Sequence, residues 1–132
     1  MIIIGHENVP FQPFFWIKTV DDINLAPEKS PIIFKQNSAK FKELVLACSK
    51  KNREFANEVF SINEALIANA NRATFLVVNS LELAKGLQKI AEDYLFDAKI
   101  LLRITKEKDL EKIAQKGIDG VVFPQGEING ES

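Results

Sequence analysis

The chain has 132 residues, the size of one domain, long enough to bury a core without a disulfide or metal staple. Hydrophobic residues make up 46% and charged residues 27%, and the net charge of −1 comes from interspersed acids and bases. That distribution lacks the basic stripe of a nucleic-acid or anionic-membrane binder, so neither partner is expected.

One cysteine, Cys48, has no internal partner, and one histidine with one cysteine argues against a zinc set, so no metal site is expected. No apolar run approaches the roughly 18 residues of a membrane span. The opening "MIIIGHE" lacks a basic region before its short apolar run. The expected compartment is cytoplasmic.

In chain order, "MIII" reads as a short strand, closed by Gly5, and "FFWIKTV" (14–20) as a second. Between them "GHENVPFQP" carries the only histidine and two prolines, which keep the segment from pairing as a central strand. Thr19 to Asp22 can cap a single helical turn, but Pro27 and Pro31 bar a long helix before the next strand, "PIIFK" (31–35). Phe41, Leu44, Val45 and Cys48 then fall at helical spacing, which reads Cys48 as a small buried hydrophobe.

"EFANEVFS" (54–61) is the next strand. Ser61 and Glu64 form a capping box for an alanine-rich helix, Asn63 to Arg72. "TFLVVN" (74–79) follows, with Asn79 as the expected cap of a helix marked by Leu83, Leu87, Ile90 and Tyr94. "AKILLRI" (98–104), a helix through Leu110, Ile113 and Ala114 that stops at Gly117, and "DGVVFP" (119–124) complete the pattern.

Strand, polar cap, helix, turn, strand is the grammar of parallel βαβ units, and continuous apolar runs such as "TFLVV" suit strands covered on both faces. The expected fold is α/β: a mainly parallel sheet of five to seven strands with three to four helices, half-barrel or flavodoxin-like. The expected organisation is a single domain over 1–132, with an irregular aromatic segment at 1–30, βα repeats over 31–124 and a tail at 125–132. The stretch "ILLRITKEKDLEKIAQKGIDGVVFP" resembles the repeats of (β/α)-barrel proteins, which informs architecture and not activity. No P-loop or G-x-G-x-x-G fingerprint is present.

Ligands of parallel sheets bind at the carboxyl ends of the strands. The polar residues expected there are Lys35, Asn37, Asn79 and Arg103, beside helix amino termini that add N–H donors. Together they suit a small anionic ligand, a phosphate or carboxylate. Lys35 and Asn37 also resemble, in their spacing, the strand end that carries the Schiff-base lysine of pyridoxal-phosphate-binding barrels; that family's glycine-rich phosphate segment has no counterpart here. The resemblance implies a nucleophilic Lys35. His6 and Glu7 follow the first strand, and a histidine beside a carboxylate suits acid–base work near neutral pH, so the catalytic candidates are His6, Glu7 and Lys35. No cofactor is specified. The alternative reading is a non-catalytic interaction module or homodimer that buries Phe11, Phe14, Phe15 and Trp16 between copies.

Overall fold

The structure is a computed structural model, and it describes residues 1–130. Eight strands form one sheet: β1 (Ile2–Ile4), β2 (Phe14–Trp16), β3 (Ile32–Lys35), β4 (Phe55–Glu58), β5 (Phe75–Val78), β6 (Lys99–Arg103), β7 (Gly120–Val122) and β8 (Glu127–Ile128). Every pairing is parallel, and the order is β1-β7-β6-β5-β4-β3-β2-β8. Five crossovers from β2 to β7 carry helix. They are a 3-10 helix (Val20–Leu25), then α1 (Phe41–Lys50), α2 (Ile62–Ala70), α3 (Leu81–Asp93), and a 3-10 turn (Glu107–Asp109) running into α4 (Leu110–Gln115).

The connections dictate that the sheet curls. β7 and β8 stand six strand spacings apart in the ladder, which is about 29 Å on a flat sheet. Only residues 123–126 join them, and five Cα steps reach at most about 19 Å. The β1 edge must therefore come round toward the β2–β8 edge. It does so through two glycines: a Cβ on Gly5 would lie 2.5 Å from the Gly126 backbone nitrogen, and Gly5 itself sits at φ +97°. Neither residue tolerates a side chain at this approach. The result is a half-barrel whose edges are drawn together, not an open sheet.

Curling splits the core in two. One inward side chain from each of β1 to β7 (Ile4, Phe14, Ile33, Ala56, Val77, Leu101 and Val122) meets in a single buried cluster. Alternate residues of the same strands point outward to a larger cluster with the helices, including Phe34, Leu44, Cys48, Leu76, Leu87, Ile100 and Ile113. Strands buried on both faces are apolar at successive positions, the pattern of "IIF", "FLVV" and "ILL".

Two expectations are corrected. The strands number eight, not five to seven, and five helical crossovers replace the expected three to four. The flavodoxin-like alternative also fails, because β2 to β7 lie side by side in sequence order, and a doubly wound sheet reverses order at a switch point.

The added strand lies where the tail was expected at 125–132. Pro124–Gly126 makes a 3-10 turn and Glu127–Ile128 pairs with Phe14 and Phe15 of β2. The last two residues of that expected tail, at 131 and 132, lie outside the described residues. β2 is also shorter than 14–20. Asp22 accepts the backbone N–H groups of Lys18 and Thr19 at 2.9 and 3.0 Å and starts the 3-10 helix there. Among the described residues no helix is long and apolar enough to cross a membrane.

Candidate functional site

Parallel strands bring all their carboxyl ends to one mouth, where Trp16, Glu58, Arg103 and Glu127, from β2, β4, β6 and β8, come together. Arg103 is the hub. Its Nε donates to Glu127 Oε2 at 2.8 Å and its Nη2 to Glu127 Oε1 at 2.7 Å, a bidentate fork. Its Nη1 donates to Glu58 Oε2, and also to Asn79 Oδ1 at 2.9 Å. Trp16 Nε1 donates to Glu127 Oε1 at 2.9 Å, and the guanidinium carbon lies 5.8 Å from the indole centroid, within cation–π range.

This network ties β6 to β4, to β8 and to the residue after β5. Burial alone pulls the Arg103 pKa down; the hydrogen bonds and charges of Glu127 and Glu58 outweigh it, so the group stands above its ordinary value and stays cationic.

Beside the network opens a cleft of about 1280 Å³. Its lining joins Trp16, Glu58, Arg103 and Glu127 to Lys18, Lys35, Lys40, Ser38, Phe34 and Phe60. Local sequence explains the rim. β3 ends at Lys35, whose carbonyl accepts the Ser38 N–H at 3.2 Å; Ser38 Oγ accepts the Lys40 N–H at 3.1 Å, and its carbonyl accepts the Phe41 N–H at 3.0 Å as α1 begins. This tight turn sets Lys35 and Lys40 on one rim. Lys35 and Lys40 are exposed, and neither has a carboxylate partner among the described residues. Among the described lining residues, and leaving Lys18 out of the count, Lys35, Lys40 and Arg103 stand against Glu58 and Glu127, a net positive lining, and both carboxylates already face Arg103.

The residues singled out from sequence therefore divide. Lys35 and Arg103 share the cleft. Asn79 reaches it only through Arg103 and otherwise borders a smaller hollow of about 330 Å³ with Arg103, Thr105 and Glu127. It is not the cap of α3: Ser80 Oγ accepts the Leu83 N–H at 3.2 Å, which frees Asn79 for Arg103. Asn37 is exposed in the turn after β3 and lines neither space.

His6 and Glu7 follow β1 and also line neither space. His6 Nδ1 accepts the Asn8 N–H at 3.1 Å and Nε2 meets Glu107 Oε1 at 2.5 Å, with Phe123 edge-on at 5.3 Å. This pattern puts the ring proton on Nε2. The histidine's partner is Glu107, not the adjacent Glu7.

The four aromatics proposed as an interface divide as well. Phe14 is fully buried in the inner cluster and Phe15 is buried in the outer one, so neither is free to meet a second copy. The physical reason is that β2 has sheet neighbours on both sides and is covered on both faces, so both parities of its side chains point into core. Phe11 is half-buried against the inner cluster, and Trp16 belongs to the cleft.

Glu58 and Glu127 are site residues that sequence reasoning missed. Glu58 carried a signal: a charge two positions after Ala56 in a strand covered on both faces needs a buried partner, and Arg103 occupies the matching place after Leu101. Glu127 carried none, because its strand exists only by pairing with β2. Among the described residues no group of acidic, histidine and cysteine side chains is arranged to hold a metal ion. No family model matches this chain, and no curated protein matches it.

Proposed function

We propose that this protein binds a small anionic metabolite, a phosphate or carboxylate, in the cleft at the strand carboxyl ends. The observation that carries the reading is the pair of exposed ammonium groups, Lys35 and Lys40, on the rim of a net-positive cleft. Arg103 is not the primary anion receptor in this reading, because Glu58 and Glu127 already occupy its donors. It lines the cleft, and in this reading Lys35 and Lys40 receive the ligand. The reading is one of binding; His6 and Glu7 stand apart from the cleft and supply it no acid–base pair.

A thermal-shift series with inorganic phosphate, sulfate, citrate and succinate tests it. A ligand at ten times its dissociation constant stabilises the folded state by about 1.4 kcal/mol, a rise of roughly 5 °C for a chain of this length. Lys35→Ala and Lys40→Ala should each cut the rise at fixed ligand concentration by more than half. No rise with any anion, or an undiminished rise in both variants, defeats the proposal.

A further inference from the structure

We propose that the ligand of this cleft carries a planar aromatic or heteroaromatic ring attached to its anionic group; the inference rests on the anion reading above. The carrying observation is Phe60. It lines the cleft and is 51% exposed, although Phe34 and Phe55 nearby are packed face to face in the core. Phe60 immediately precedes Ser61, the N-cap of α2. Its backbone N–H donates to Glu64 Oε1 at 3.1 Å, and the following Ser61 Oγ accepts the Glu64 N–H at 3.1 Å. These two bonds hold the backbone at Phe60 and Ser61 as α2 begins, with the Glu64 carboxylate taking the Phe60 N–H and not that of the Ser61 cap.

The same cleft contains Trp16, the chain's only tryptophan, whose indole is oriented by Glu127 and by the Arg103 guanidinium. The lining thus sets an exposed phenyl and a hydrogen-bonded indole beside the lysines. A bare inorganic anion uses only the lysines. A ring joined to the anion also covers the exposed Phe60 and gains stacking, which a saturated ring of the same size does not.

Three probes of equal charge type separate the possibilities: inorganic phosphate, phenyl phosphate and cyclohexyl phosphate, titrated by calorimetry into the wild-type chain, Phe60→Leu and Lys35→Ala. The wild type should bind phenyl phosphate about three- to tenfold more tightly than cyclohexyl phosphate. Phe60→Leu, which keeps apolar bulk at an exposed position, should reduce that ratio to below about twofold. Lys35→Ala should weaken all three probes together. Equal binding of the phenyl and cyclohexyl esters, with inorganic phosphate still bound, overturns the ring inference and leaves the anion reading standing. Retained discrimination in Phe60→Leu overturns it equally. Failure of all three probes to bind removes the anion reading and the ring inference with it.

Discussion

Replacing Arg103 with methionine keeps an apolar stem of similar length and removes the guanidinium from the mouth of the half-barrel. Two carboxylates then lose their cation: the side chain of Glu58 is 8% exposed and that of Glu127 is 15% exposed. Removing one partner of a buried ion pair costs about 3–5 kcal/mol, because the remaining charge is left desolvated. The Arg103 side chain is itself 23% exposed. Water therefore reaches the network and trims the expected loss to about 2–4 kcal/mol. For a chain of this length that lowers the melting temperature by roughly 8–16 °C. Urea unfolding reads it directly, since Trp16 sits inside the network and reports its loss by fluorescence. The triple variant Arg103→Met, Glu58→Gln, Glu127→Gln leaves no uncompensated charge and should recover more than half of the loss. A single variant within about 0.5 kcal/mol of wild type, or a triple no more stable than the single, refutes the reasoning.

Gly5→Ala should destabilise the fold by more than about 2 kcal/mol, because its φ is unfavourable for alanine and the new methyl meets the Gly126 backbone; a denaturation midpoint unchanged from wild type contradicts the edge closure. Burial pushes the Cys48 thiol up to about 11, against a smaller opposing pull from Arg53. At pH 8 a colorimetric disulfide reagent should label the native chain at least about a hundredfold more slowly than the urea-unfolded chain. Equal rates would place the thiol outside the core. Asp22 is held below the ordinary aspartate value, chiefly by the Lys18 and then the Thr19 backbone N–H. A depressed carboxylate stabilises the fold above the unfolded-state value and loses that effect as pH falls through the folded-state value. The stability gap between wild type and Asp22→Ala should therefore be constant above about pH 5 and shrink below about pH 4. A gap that widens on acidification is the wrong sign.

The parts of the fold that were legible in the sequence are those governed by local burial. β3 to β7 announce themselves because both faces of each strand need apolar side chains, and Ser61 caps α2 through the Glu64 N–H as its spacing implies, although the Glu64 carboxylate takes the Phe60 N–H and not that of Ser61. What stayed hidden depends on partners distant in the chain. β8 has one apolar residue, Ile128, and owes its strand geometry to β2, more than a hundred positions earlier. The role of Asn79 turns on a competition between two adjacent cap-forming residues, which Ser80 wins once Arg103 claims the amide. Phe14 and Phe15 read as an exposed aromatic segment, because nothing local shows that the edges of the sheet meet around them. Of the expected ligand set, Lys35 and Arg103 reach the same cleft, while Asn37 does not. The place of Glu58 two residues after Ala56 hinted at a buried partner for Arg103, but nothing local hinted that Glu127 would hold it as well.

The central functional claim is that anions settle on the Lys35–Lys40 rim. Amide chemical-shift mapping of the isotope-labelled chain during titration with inorganic phosphate tests it most directly. The account predicts saturable shifts concentrated at residues 35–41, much weaker at equal phosphate in Lys35→Ala. Shifts scattered over the surface lysines, or centred on His6 and Glu107 instead, contradict it.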